Sequence, residues 1–173
     1  KSSNMHLVHS PHSNMKLASG FCPVTNLLAQ GTNVALGTDS AASNNQLDML
    51  SELRTAALLG KVCSEDPTAI PAHQALTMAT LNGAKALGLD QQIGSLEVGK
   101  QADLITINLN HINTLPVHDP IAQIVYAASR EQVAHVWVAG QCLLNDNRLT
   151  TIDEAAVLQL AENWQHTIDS QKI

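Results

Sequence analysis

Residues 33–45 read Asn-Val-Ala-Leu-Gly-Thr-Asp-Ser-Ala-Ala-Ser-Asn-Asn, an apolar run that delivers a single acidic side chain, Asp39, into a polar loop. A run as short as Val34-Ala35-Leu36 leaves no polar side chain for water, so it reads as a strand buried on both faces. Parallel sheets flanked by helices use such strands. A carboxylate just past the strand's end stands at the C-terminal rim of the sheet, where α/β enzymes keep their chemistry. Asp is also a common turn and N-cap residue, so spacing alone leaves Asp39 either a reactive group or a cap.

The neighbouring residues extend this pattern. Met5 to His9 reads as a short strand, and Ser10-Pro11 predicts a loop after it. Cys22 to Gln30 predicts a helix with Pro23 in its first turn and Gly31 just past its end. A second helix is expected from about Gln46 to Leu59, with Leu47, Leu50, Leu53, Ala57 and Leu58 as its apolar stripe and Gly60 as its stop. Strand, helix, strand, helix in immediate succession is the grammar of an α/β fold. Two such units are too few to close a barrel or cover a sheet. Pro71 to Leu87 predicts more helix, broken at Asn82-Gly83 and stopped by Gly88.

From Ile93 the texture changes to a small β module. Asp103 to Ile107 reads as a strand, and Val133–Val138 with Gln141–Leu144 as a hairpin turning at Ala139-Gly140. Thr151-Ile152-Asp153-Glu154 matches a capping box, opening a terminal helix with Val157, Leu160, Ala161, Trp164 and Ile168 on one face.

Composition narrows the function classes. Of the 173 residues 45% are hydrophobic and 14% charged, which suits a packed core and not disorder. A net charge of −6, no basic patch and 2% aromatics argue against binding nucleic acid. Cys22, Cys63 and Cys142 lack any Cys-x-x-Cys spacing, so free buried thiols in a reducing compartment are expected, and a structural zinc held by cysteine is not. No apolar stretch approaches the roughly 20 residues a membrane span needs, and Lys1-Ser2-Ser3-Asn4 is not followed by a signal-type segment. A cytoplasmic protein is expected, with no membrane partner. The chain lacks a Met at position 1 and enters a strand pattern almost at once, which points to a start inside a larger protein.

Three histidines crowd the first strand and loop. His6, His9 and His12 are spaced i, i+3, i+6, whereas a strand presents a metal pair at i and i+2. They are therefore not a self-contained metal site, and His6 and His12 read as exposed or locally hydrogen-bonded imidazoles. His9 shares the rim with Asp39 if the two strands are parallel neighbours, and reads as support before ligand. Asn14, Lys16, Ser43, Asn44 and Asn45 are polar groups in rim loops, where pockets take their orienting hydrogen bonds. Spacing favours capping roles for Asn44 and Asn45. Nucleotide phosphate loops and the serine-hydrolase elbow are absent.

Three segments in order, Val8-His9-Ser10-Pro11-His12-Ser13-Asn14-Met15-Lys16-Leu17-Ala18-Ser19-Gly20, Gly37-Thr38-Asp39-Ser40-Ala41-Ala42-Ser43-Asn44-Asn45 and Ala79-Thr80-Leu81-Asn82-Gly83-Ala84-Lys85-Ala86-Leu87-Gly88, resemble the metal-dependent amidohydrolase superfamily. The branch they are most similar to holds the S-adenosylhomocysteine and 5′-methylthioadenosine deaminases and the triazine chlorohydrolases. Ile93 to Leu104 resembles the entry into that superfamily's small β-sandwich, and Val117-His118-Asp119-Pro120 and Val136-Trp137-Val138-Ala139-Gly140 fit the same branch.

The resemblance implies a (β/α)8 barrel joined to a composite β-sandwich. Residues 1–90 would carry barrel strands seven and eight, 91–148 part of the sandwich, and 149–173 a C-terminal helix. It further implies that Asp39 binds zinc or another divalent metal and takes a proton from the metal-bound water. His9, Asn14 and Ser43, with Asp39, would line the pocket of a small heterocyclic substrate, and the enzyme would be a homodimer. The implied reaction is hydrolytic deamination of an adenosine-type purine such as 5′-methylthioadenosine or S-adenosylhomocysteine. Dechlorination or dealkylamination of s-triazines is the alternative within the family, and a non-catalytic half-barrel that pairs with another chain is the alternative outside it. A catalytic zinc keeps three protein ligands, yet the chain has no His-x-His pair. The resemblance therefore implies the C-terminal portion of a longer enzyme, inactive and weak in metal binding by itself.

Overall fold

The computed structural model describes residues 5–171, so the Lys1-Ser2-Ser3-Asn4 start lies outside the described residues. The first strand, β1 (His6–His9), runs into a short helix, α1 (Pro11–Lys16), where the sequence predicted a loop. Proline explains the difference: its fixed φ and missing N–H suit the first helical position as well as a turn. Then come α2 (Val24–Ala29) and β2 (Asn33–Leu36). The two strands pair in parallel, from His6 opposite Asn33 to His9 opposite Leu36.

Alternation along these strands separates two faces. Val34 and Leu36, with Leu7, join the hydrophobic core, while Val8 on the other face is 59% exposed. On that exposed face a Cβ at Gly37 would stand 2.8 Å from Val8 Cγ1, so the close approach of the two strand ends requires glycine there.

The core forms between the parallel pair and α3 (Met49–Ser64), α4 (Ala72–Ala79) and α6 (Pro120–Tyr126), with α5 (Leu81–Ala86) against β2. Leu53, Ala56, Ala57, Ile70, Ala75, Met78 and Val125 are its centre. Each large side chain buried there contributes about 1.5–3 kcal/mol of apolar transfer. Arg54 ties α6 to α3 by donating to the Val125 and Ala128 carbonyls, at 3.3 and 2.5 Å.

Helix α3 differs from its predicted form. It starts at Met49, because the Asp48 carboxylate caps it by accepting from Leu50 N and Ser51 N at 2.9 and 3.2 Å. Its buried face is Glu52, Leu53, Ala56, Ala57 and Gly60, so Leu58 points outward and Leu47 lies before the helix. Gly60 does not stop it. A Cβ there would lie 2.3 Å from Ile70 Cδ1, so the glycine admits Ile70, and the helix ends at Glu65 in the left-handed region. Likewise the break in the 71–87 region falls at Thr80, not at Asn82-Gly83. Asn82 sits within α5, donates to the Val34 carbonyl at 2.9 Å and accepts from the Asn33 amide through its own carbonyl, so tertiary hydrogen bonds replace its turn preference.

The remaining strands, β3 (Leu104–Ile107), β4 (Val133–Val138), β5 (Gln141–Asn145) and β6 (Arg148–Leu149), form an antiparallel sheet in that order. The β4–β5 hairpin turns at Ala139-Gly140 as expected, with φ of 49° and 79°. The Asp103 carboxylate accepts from Ala139 N at 2.6 Å and secures that turn. The terminal helix, α7 (Glu154–Gln171), is capped by Asp153, which accepts from Ala155 N and Ala156 N, and not by Thr151. Its predicted apolar face is present and entirely exposed. The three cysteines are free, with Cys22 and Cys142 half-buried and Cys63 exposed, contrary to the expected burial. Among the described residues no helix is long and apolar enough to cross a membrane.

Candidate active site at the strand ends

Asp39 lies three residues past β2 with a left-handed backbone, φ 60°, a conformation Asp tolerates better than most residues. Its Oδ2 accepts from Ser13 Oγ at 2.7 Å and Ser43 Oγ at 3.1 Å. These hydroxyls, Ser13 first, together with the Ser40 backbone N–H, hold the carboxyl below the ordinary aspartate range. The result is an exposed, ionised carboxylate fixed from two directions. Asp39 does not cap α3, since Asp48 does that.

Both serines are nearly fully buried, so their hydroxyls are oriented by packing. Ser13 comes from α1, after β1. Ser43 comes from the loop after β2, where Ser43 N and Asn44 N both donate to the Ser40 carbonyl, at 3.1 and 2.8 Å. Asn44 and Asn45, expected as caps, instead join elements. Asn44 is buried and donates through Nδ2 to the Thr38 carbonyl at 2.8 Å and to Glu52 Oε1. Asn45 accepts from Lys16 Nζ at 2.6 Å, and the same ammonium donates to the Ala42 carbonyl at 2.8 Å. A loop packed against a second rim loop offers partners beyond its own backbone, which spacing cannot register.

The histidines part company. His9 ends β1 on the face that carries Leu7 toward the core; it is buried, and its Nδ1 has no hydrogen-bond partner among the described residues. Burial lowers its pKa, so the imidazole is neutral. His6 is exposed and lies 2.9 Å from the Asn33 amide through Nδ1. His12 stands 2.7 Å from Thr55 Oγ1 through Nε2, and its Nδ1 is 3.1 Å from Glu52 Oε1. Asn14 is half-buried on α1, and its carbonyl accepts from Ser19 N at 2.9 Å.

Two contributors escaped sequence reasoning. Ser13 had no signal beyond its place in Pro11-His12-Ser13-Asn14. Glu52 did have one: it precedes Ala56 by four residues and Gly60 by eight, so helical spacing puts a carboxyl on the buried face. Its pKa is raised by that burial, with opposing contributions from the His12 backbone N–H, the His12 ring and Asn44.

A rim carboxylate held ionised by hydroxyl donors is a hard oxygen ligand suited to a divalent cation. Among the described residues no group of three or more His, Cys, Asp or Glu side chains could hold a metal ion, so Asp39 fits as one ligand and not as a site.

A parallel strand pair flanked by helices, with an oriented carboxylate past one strand end, defines an α/β protein with a polar rim. Residues 1–143 match the amidohydrolase family, and the chain belongs to it. It is 51% identical over 170 residues to a 5-methylthioadenosine/S-adenosylhomocysteine deaminase of Teredinibacter turnerae, covering 98% of this chain and 38% of that protein. A crystal structure of an adenosine deaminase from Xanthomonas campestris with bound zinc superposes with a TM-score of 0.92 at 50% identity, over 94% of this chain and 37% of that one. An atrazine chlorohydrolase of Arthrobacter aurescens complexed with zinc superposes with a TM-score of 0.85 at 27% identity, over 91% and 35%. The chain thus spans little more than a third of the proteins it matches.

Proposed function

We propose that this chain carries the strand-seven and strand-eight side of a metal-dependent (β/α)8 deaminase that hydrolyses the 6-amino group of an adenosine-type purine, such as 5′-methylthioadenosine or S-adenosylhomocysteine. The observation that carries the reading is Asp39, ionised and aimed by Ser13 and Ser43 at the end of a strand that belongs, by sequence, to this family. Residues 1–90 then belong to the barrel portion, 91–148 to part of a composite β-sandwich, and 149–173 to a C-terminal helix.

In this reading Asp39 accepts a proton from the attacking water and returns it to the departing amine, general base then general acid. Water adds to the ring carbon, the carbon–nitrogen bond breaks, and ammonia leaves. Asp39 would also be one ligand of zinc or another divalent metal, whose bound form lowers the pKa of coordinated water from about 15.7 to about 7. A catalytic zinc normally takes three protein ligands, so the others would come from outside these 173 residues. Ser43 and Asn14 are assigned to the pocket wall, and the neutral His9 to its backing. The free thiols fit a cytoplasmic enzyme, and the family resemblance a homodimer.

The 51% and 50% identities to deaminases, against 27% to the atrazine chlorohydrolase, favour deamination over triazine chemistry. The test is a substrate panel on the complete enzyme. Ammonia release from 5′-methylthioadenosine or S-adenosylhomocysteine, at kcat/KM at least about 10⁴ M⁻¹s⁻¹, is expected. Chloride release from atrazine in preference to either would transfer the assignment to the triazine branch, and no turnover of any would favour an assembly module.

A further inference from the structure

We infer that Glu52 is a positioning residue for Asp39: its buried carboxylate clamps the two rim loops together so that the Asp39 carboxylate keeps one direction. This rests on the reading of Asp39 as the proton-transfer group. Glu52 sits on α3 with 0% exposure, and the partners of its carboxylate among the described residues, His12 and Asn44, belong to the rim loops. Its Oε2 accepts from His12 N at 3.3 Å, and its Oε1 accepts from Asn44 Nδ2 and lies 3.1 Å from His12 Nδ1.

Two short paths lead from this carboxylate, and each ends one bonded or hydrogen-bonded step from Asp39. Along the first, the Asn44 amide nitrogen that donates to Glu52 also donates to the Thr38 carbonyl, which belongs to the residue before Asp39. Along the second, His12 is followed by Ser13, whose hydroxyl donates to Asp39 at 2.7 Å. Asp39 itself holds a positive φ, a conformation that persists only where the surroundings over-determine it. A buried carboxylate is costly, and an apolar side chain on this face of α3 would serve the core better. The position is therefore explained by what the carboxylate holds in place, not by core packing.

The test uses the complete enzyme and Glu52→Gln. Glutamine keeps the volume but sets an NH2 against a donor in either orientation, the His12 N–H or the Asn44 amide. The expected result is a fall in kcat on the order of 10- to 100-fold with KM within about twofold, the signature of a misaimed group. Amide exchange of Ser43 and Asn44 should accelerate in the same variant. Ile70→Val, beside Gly60 near the far end of α3, should lower the melting temperature yet leave kcat unchanged. If Glu52→Gln does not fold, Asn44→Ala, which cuts the first path alone, decides by the same readouts.

Asp39→Asn, measured in parallel, separates the two claims. Full activity in Asp39→Asn overturns the proton-transfer reading and this inference with it. Loss in Asp39→Asn, beside wild-type kcat in folded Glu52→Gln or Asn44→Ala, overturns the clamp and leaves that reading standing. An equal kcat loss in Ile70→Val also overturns the clamp, since general loosening would then account for the effect.

Discussion

Two hydroxyls and the Ser40 backbone N–H set the state of Asp39. Ser13 and Ser43 stabilise its charged form, so its pKa is lowered, and such a group adds stability above the ordinary carboxylate pKa that is lost as pH falls through the lowered value. Ser13→Ala removes the largest contribution and should move the Asp39 titration upward, toward the ordinary range, when followed by carboxyl-carbon NMR. An unmoved titration would remove Ser13 from the account. Glu52 has the opposite sign. Burial raises its pKa, so its contribution is full below the ordinary glutamate value and is lost as pH rises through the raised one. Glu52→Gln removes this titration, so the variant should gain stability relative to wild type between pH 4 and pH 8 in paired thermal melts, and a relative loss over that range would contradict the raised pKa. At this scale Asp39 was legible because it follows an apolar strand. Ser13 was not, since its role depends on a partner 26 positions away that spacing does not reveal.

Among the elements, α3 couples the core to the rim. The face of Leu53, Ala56, Ala57 and Gly60 packs on the core, and Glu52 on the same helix reaches the loops. Gly60→Ala sets two effects against each other: about 1 kcal/mol of gained helix propensity and about 1–3 kcal/mol of overpacking against Ile70. With Ile70 buried and the new Cβ 2.3 Å from its Cδ1, overpacking wins, and a net loss of about 1 kcal/mol is expected in denaturant unfolding. Adding Ile70→Val, which deletes that Cδ1, should recover part of the loss, so the double variant should be less destabilised than the sum of the singles. Strictly additive losses would show that the contact is not the cause. The sequence carried strands β1 to β5, the β4–β5 hairpin and the existence of most helices through their periodicity, but not the two-residue β6. It misplaced the start and stop of α3 because a capping Asp48 and a packing glycine resemble loop and stop residues until their tertiary partners are known. Helix α6 went unread, although Asp119-Pro120 supplies its cap and first residue.

As a molecule, the chain pairs an oriented carboxylate with surfaces that lack cover. The two-stranded parallel sheet has a free edge on each strand among the described residues, Val8 and Phe21 are exposed, and α7 turns its whole apolar face outward. Bare strand edges and apolar patches recruit partners. The 173-residue chain by itself should therefore self-associate at micromolar concentration in sedimentation velocity, and should bind far less than one zinc per chain. A stable monomer holding one zinc and deaminating nucleosides would contradict the account of an incomplete site. The family was legible from the order of the motifs, whereas the contacts beneath Asp39 required the fold.

If Asp39 moves the proton in the proposed deamination, ammonia release by the complete enzyme with and without Asp39→Ala will register it. A fall in kcat of about 10² to 10⁴-fold, with the melting temperature held within a few degrees, is predicted. Wild-type turnover by the folded variant would contradict it.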